Sequence, residues 1–326
     1  MAIKDSGSSL AISEIAAEFG GSTPHSLSEY YAGGSNVPSG ATGESGSIPT
    51  SGTISMSQFY GSTARIAIAL QISSTTQNYN IYANRGGTYS AGISDVTLTV
   101  QAIVGSAGTG QYAIDTGNQW ASGDTVKIIN NSQIVGCGGA GGAGGQGGNG
   151  NQALNGQAGG AGGSAINLGI DTTIQNDGGR IRGAGGGGGG GGNSGTDATM
   201  KGQTTFHTAS GGGGGGGTGQ AGGAAGAAGQ AGSASGEDNV GQAGQAGSIS
   251  SNGAGGGGST AQASADSGAG GAGGSFGGAG QAGQNGQGPQ RNGSGGAGGA
   301  AGKAINLNGN SVTYEDGSGN IDGAVS

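Results

Sequence analysis

A single cysteine, Cys137, excludes an intrachain disulfide. It falls where a small residue recurs, which reads as packing rather than reactivity. Four prolines are too few for a collagen triple helix, which needs abundant proline beside its glycine. Hydrophobic residues make up 31% of the 326-residue chain and aromatic ones 4%, too little for a conventional core along its whole length. Charged residues are only 8%, which argues against charge-driven disorder. Nine Lys and Arg, scattered under a net charge of −8, disfavour nucleic acid as a partner. No apolar run approaches the roughly 20 residues of a membrane span, and no N-terminal secretion signal is present. Membrane insertion is therefore not expected, and any surface position is reached from the cytoplasm by another route. His25, His207 and Cys137 cannot supply a common metal site. No Ser/His/Asp arrangement stands above chance, and Gly302-Lys303-Ala304 lacks the Ser or Thr of a phosphate-binding loop. The expectation is a protein with no cofactor, no metal and no catalytic activity.

What the chain has is glycine: 68 of its 90 glycines fall between Gly136 and Gly302. They keep a period of three, as at Gly268, Gly271, Gly274, Gly277, Gly280, Gly283 and Gly286. That is the period of an extended left-handed helix of the polyproline II type, which has no internal hydrogen bonds. Its backbone groups must then bond to neighbours. Glycine at every third position clears one edge of Cβ atoms and lets backbones approach. The fold predicted for 136–302 is a bundle of short antiparallel polyglycine II helices, with a flexible glycine linker as the alternative.

Two repeats frame this block. Gln133-Ile134-Val135-Gly136 matches Arg180-Ile181-Arg182-Gly183 and Asn320-Ile321-Asp322-Gly323, and Ala165-Ile166-Asn167-Leu168 matches Ala304-Ile305-Asn306-Leu307. These predict stacked β rungs at the base, one inserted at 164–183 and a closing one at 303–326. Residues 62–135 alternate as strands and predict a small β-sandwich-like domain, with Trp120 in its core. The overall class is mainly β and irregular. Residues 1–61 predict short helical turns at Ser26 to Tyr31 and Ser55 to Tyr60, too poor in apolar anchors to be stable alone. Phe19, Leu27, Tyr30, Tyr31, Met56, Phe59 and Tyr60 are expected to dock on a partner, or else on the neighbouring domain.

Non-glycine insertions at the far end of the block are the candidate binding loops: 193–210, 233–240, 259–267 and 284–292. They offer Asp197, Met200, Lys201, Phe206, His207, Glu237, Asp238 and Arg291, and Phe276 joins them as a rare bulky side chain in the block. Side chains on loops over a rigid scaffold suit recognition.

With these motifs the glycine block resembles the receptor-recognising tip adhesins of T-even-type bacteriophage tail fibres. The I-x-G-[AC]-G-G segments at Ile134 and Ile181, and the modules at Ser26 to Tyr31 and Ile48 to Gly61, are similar to phage tail-tip and tail proteins. The resemblance implies a virion protein made in the host cytoplasm and attached through its N-terminal segment to other tail or fibre proteins. Its loops would bind a bacterial surface receptor such as an outer-membrane protein. The alternatives are a structural tail-tip cap without receptor binding and an ice-binding protein, the latter opposed by unphased threonines.

Overall fold

The computed structural model describes residues 2–147, 152–200, 203–232, 238–261 and 265–326. The chain divides into two compact units, one formed by 1–70, 82–98 and 119–127, the other by 71–81, 99–118 and 128–326. Among the described residues, helix is confined to Ile12–Phe19, Ile81–Asn84 and the single 3-10 turns Leu27–Tyr30 and Met56–Phe59. The fold is mainly β and irregular.

In the first unit, residues 1–62 close around a core of their own. Helix Ile12–Phe19 starts where the Ala11 amide donates to Glu14 Oε2 (2.7 Å), and it presents Ile15 and Phe19 inward. Phe59 meets Phe19 and Tyr30 edge-on, with centroids 6.1 and 6.2 Å apart, and Ile3, Val37 and Ile48 complete the cluster. This corrects the sequence reading. Phe19, Tyr30 and Phe59 are buried in the segment itself, and Leu27 and Met56 pack against them. Tyr31 and Tyr60 stay half-buried, their hydroxyls donating to the carbonyls of Gly52 and Ser8. Few residues suffice because three of them are aromatic, each burying about 150–250 Å².

The segment 62–135 does not form a sandwich. Its strands join those of the C-terminal half in three sheets, each taking one strand from successive turns of the chain. One sheet runs Thr76–Gln77, Val104–Gly105, Gln133–Val135, Arg180–Arg182 and Ile321–Asp322, all parallel. A second runs Tyr79–Asn80, Ile114–Asp115, Ile166–Asn167 and Ile305–Asn306, also parallel. The third orders Ile66–Ile72, Ser94–Val100, Thr125–Asn130, Thr172–Gln175 and Val312–Asp316. Alternation alone cannot separate a sandwich strand from a rung of a parallel coil, because both bury every second residue. The repeats did fix the register: Ile134 pairs with Ile181, Ile181 with Ile321, and Ile166 with Ile305. Identical residues therefore stack, and so do their polar neighbours. Asn306 Nδ2 donates to Asn167 Oδ1 (2.8 Å), and Asn167 Nδ2 to Asp115 Oδ1 (3.1 Å).

The glycine blocks leave this coil after Val135 and Arg182 and return at Ile166 and Ile305. Among the described residues ten runs without sheet pairing form them, and consecutive runs reverse direction. Bonds recur every third residue, as in Gln157, Gly160 and Gly163 donating to Ala143, Ala140 and Cys137. The two uninterrupted glycine runs are the most surrounded. Run 183–193 donates to runs 154–163, 210–219 and 277–286, and accepts from 136–147, 267–275 and 293–303. Run 210–219 likewise has six neighbours, and each of the other eight has three or four among the described residues. Glycine acts here by lacking Cβ, not by reaching left-handed φ. Among the described glycines of 136–302 only Gly277 has a positive φ, 65°.

Candidate functional site

At the end of the glycine runs away from the β coil, four insertions meet. Ser194–Met200 and Gln203–Ala209 form an antiparallel hairpin with Ser194 opposite Ala209 and Met200 opposite Gln203. Arg291–Asn292 pairs antiparallel with one edge and Asp238–Asn239 parallel with the other, giving a four-stranded sheet. Beside it Thr260–Ala261 pairs with Ala265–Asp266, and Asp266 bridges to Gln287. Segments distant in sequence thus build one surface.

The hairpin grows straight out of the two central runs, which end at Gly192 and begin again at Gly211. Small polar residues at that boundary tie it down. Asn193 Oδ1 accepts from the Leu154 amide (2.7 Å), while its Nδ2 donates to the Gln152 carbonyl (3.1 Å). Ser210 Oγ donates to the Gly229 carbonyl (2.8 Å). Ser267 Oγ donates to the Ser210 carbonyl (2.7 Å) and Ser259 Oγ to that of Asn239 (2.8 Å). Asn193 and Ser210 are fully buried, so each bond replaces lost hydration. Sequence reasoning missed this ring. Its one signal is a small polar residue where a glycine run meets an insertion, as at Asn193, Ser210, Ser259 and Ser267.

The sequence-chosen residues fare unequally. Asp197, Met200, Phe206 and His207 lie on the hairpin, Asp197 opposite Phe206; Arg291 and Asp238 lie on its flanking strands. His207 is 7% exposed and Phe206 half-buried, so His207 belongs to the sheet's packed side instead of an open tip. Ala209, Ala261 and Ala265 form a small apolar cluster at the same end. Lys201 and Glu237 lie outside the described residues. Phe276 is a correction. It occupies the turn at the opposite, coil-facing end, its ring 4.7 Å from the Arg182 guanidinium. Arg182 Nε lies 3.0 Å from Asp322 Oδ2, an ionic contact. The turn Ser275 to Gly278 returns the chain there because run 277–286 starts beside Gly183, to whose carbonyl the Gly277 amide donates (2.8 Å). Cys137 is buried near the start of run 136–147, and burial pushes its thiol up.

The family model of the phage tail fibre adhesin Gp38 matches residues 67–326. The chain belongs to that family. As a Gp38-family tail fibre adhesin it is a component of the virion's tail fibre and serves host attachment. Residues 1–66 precede the matched region. Among solved structures, the gp37–gp38 adhesin tip complex of the bacteriophage S16 long tail fibre is similar at 20% identity and a TM-score of 0.39, covering 85% of this chain and 88% of that one. None of the curated proteins matches the chain.

Proposed function

We propose that this Gp38-family chain is the non-enzymatic, receptor-recognising tip of its fibre. The glycine runs act as a polyglycine II bundle, and the hairpin sheet at its end contacts a bacterial surface receptor such as an outer-membrane protein. The observation that carries the reading is the convergence of four insertions on one end of the array, joined by the pairing of the hairpin with Arg291–Asn292 and Asp238–Asn239 and by the hydrogen bonds of Ser259 and Ser267. The three-residue recurrence of backbone bonds, the six neighbours of each uninterrupted run and the near absence of positive φ support the polyglycine II assignment. Such a platform is stiff because the backbone itself is cross-linked. Insertions then vary while the lattice stays constant.

Asp197, Met200, Lys201, Phe206, Glu237, Asp238 and Arg291 are the contact candidates; His207 supports the sheet from within. Residues 1–61 are assigned to attachment to other fibre proteins. The exposed parts of Tyr31, Tyr60, Leu27 and Met56 are available for that task, whereas Phe19, Tyr30 and Phe59 are committed to the module's own core. The test replaces residues 196–207 by the two-residue turn Asn-Gly, retaining Asn193, Ser194 and Ser210. Adsorption to host cells is expected to fall by more than tenfold at an unchanged melting temperature. Unchanged adsorption sinks the reading.

A further inference from the structure

On one flank of the glycine array, runs 154–163 and 220–230 both bond to run 136–147. The Gln157 amide donates to the Ala143 carbonyl (2.8 Å) and the Gly144 amide to that of Ala227 (2.9 Å). Among the described residues no backbone bond joins those two outer runs to each other. The gap between them is an open cleft of about 320 Å³. Ala143, Leu154 and Ala227 give it an apolar lining, and Gln146, Gln157 and Gln230 stand around it. Among the described residues no charged side chain lines it. The carboxamides of these three glutamines make no hydrogen bond among the described residues. Asn155 differs, since its Oδ1 accepts from the Ser294 amide (2.8 Å).

We propose that this cleft binds a neutral sugar residue of a host-surface glycan. A carboxamide carries an acceptor and two donors on one plane, which suits neighbouring hydroxyls that each both donate and accept. Three such groups with no internal partner surround an apolar patch. That pairing fits a pyranose, whose hydroxyls lie round its rim and whose C–H groups form apolar faces. The lack of charge disfavours phosphate, uronate and peptide termini, since an ion drawn from water needs an opposite charge. The volume lies at the lower end of small-ligand clefts, generally about 300–1,000 Å³. The lattice explains why the cleft exists. Among the described residues run 136–147 has four of the six neighbours that the central runs have, and the two open positions lie between its two outer companions.

This inference rests on the reading of the chain as an adhesin but uses a surface separate from the hairpin sheet. The experiment is saturation-transfer NMR of the full chain with a panel of neutral methyl glycosides of glucose, galactose, mannose, rhamnose, heptose and N-acetylglucosamine at millimolar concentration. Transfer to at least one sugar is expected. It should fall at least fivefold in the double variant Gln157→Ala, Gln230→Ala, and also in Ala143→Leu, which fills the lining. Both glutamine side chains are exposed, so the melting temperature of the double variant should hold. If it drops, Gln230→Ala alone gives the same readout. No transfer from any glycoside, or equal transfer in the variants, overturns the proposal. Cells are not involved in this measurement. A sugar signal without adsorption would fault only the receptor reading, and adsorption without a sugar signal only the cleft.

Discussion

Gly190 faces Ala143 so closely that a Cβ at 190 would lie 1.9 Å from the Ala143 carbonyl oxygen. The adjacent glycines meet different runs: a Cβ at Gly189 would lie 1.9 Å from Gly296 O, and one at Gly188 2.0 Å from Gly271 O. Three successive residues are each closed off by a different neighbour. Every blocking atom is backbone, so no side-chain rotation relieves the contact.

Gly190→Ala is therefore expected to destabilise by more than about 3 kcal/mol, beyond the usual cost of overpacking, because two runs must separate. Gly110→Ala is the control. Nothing lies within 4 Å of its added Cβ and its φ is not in the left-handed region, so stability should stay within about 1 kcal/mol. Denaturant midpoints of the two variants check this. Equal midpoints would remove the argument for a close-packed array.

Asp124 should set an acid limit to stability. Its carboxylate is buried, and burial alone would raise its pKa. The Tyr89 hydroxyl (2.7 Å) and the amides of Ser94 (3.1 Å), Ala121 (2.9 Å) and Gly92 (2.8 Å) outweigh that effect and hold it below the usual carboxylate range. A depressed pKa stabilises the fold above the unfolded value of about 3.9, and that stability is lost as pH falls through the folded pKa. Melting temperatures between pH 3 and pH 7 should therefore fall on the acid side. Asp124→Asn should flatten that limb and cost on the order of 1–3 kcal/mol at pH 7, because an amide nitrogen cannot accept. An unchanged acid limb in the variant would assign the effect elsewhere.

Phe276 and Phe59 are large residues that the sequence offered as contacts, and both are expected to act through stability. Phe276→Ala should leave host adsorption unchanged, because the residue lies beside Arg182 at the coil end, and should lower the melting temperature slightly. The lost cation–π contact contributes about 0.5–1 kcal/mol. Loss of adsorption at full stability would return Phe276 to the receptor site.

Phe59→Ala removes the ring that both Phe19 and Tyr30 meet and should cost about 3–5 kcal/mol. The N-terminal module would then open before the rest of the chain. Limited proteolysis of the full-length variant should cut within residues 1–62 first and leave the glycine runs intact. Tyr31→Ala, at a half-buried position, should keep the module folded, so a loss of fibre assembly in that variant would report attachment directly.

The division between what sequence and tertiary structure decide follows from the range of each interaction. The glycine phase and the rung register were legible in the sequence, but not every run boundary: the period kept from Gly268 to Gly286 is broken by the turn at Phe276. A backbone that approaches to bonding distance tolerates no Cβ at the contact, and stacked Ile134, Ile181 and Ile321 must repeat to pack. The order of the lattice was not legible. Which six runs surround 183–193 depends on how turns route the chain, and identical glycine triplets carry no label for their partners. For the same reason Phe276 could be recognised as unusual but not assigned to an end. The strands of 62–135 were visible individually, yet whether they form a sandwich or a parallel coil rests on pairing with the next turn of the chain, as Ile114 with Ile166 and Ile134 with Ile181. The sequence determined that backbones here pack against backbones. Only the tertiary structure decided which ones meet, and so which insertions share the exposed end.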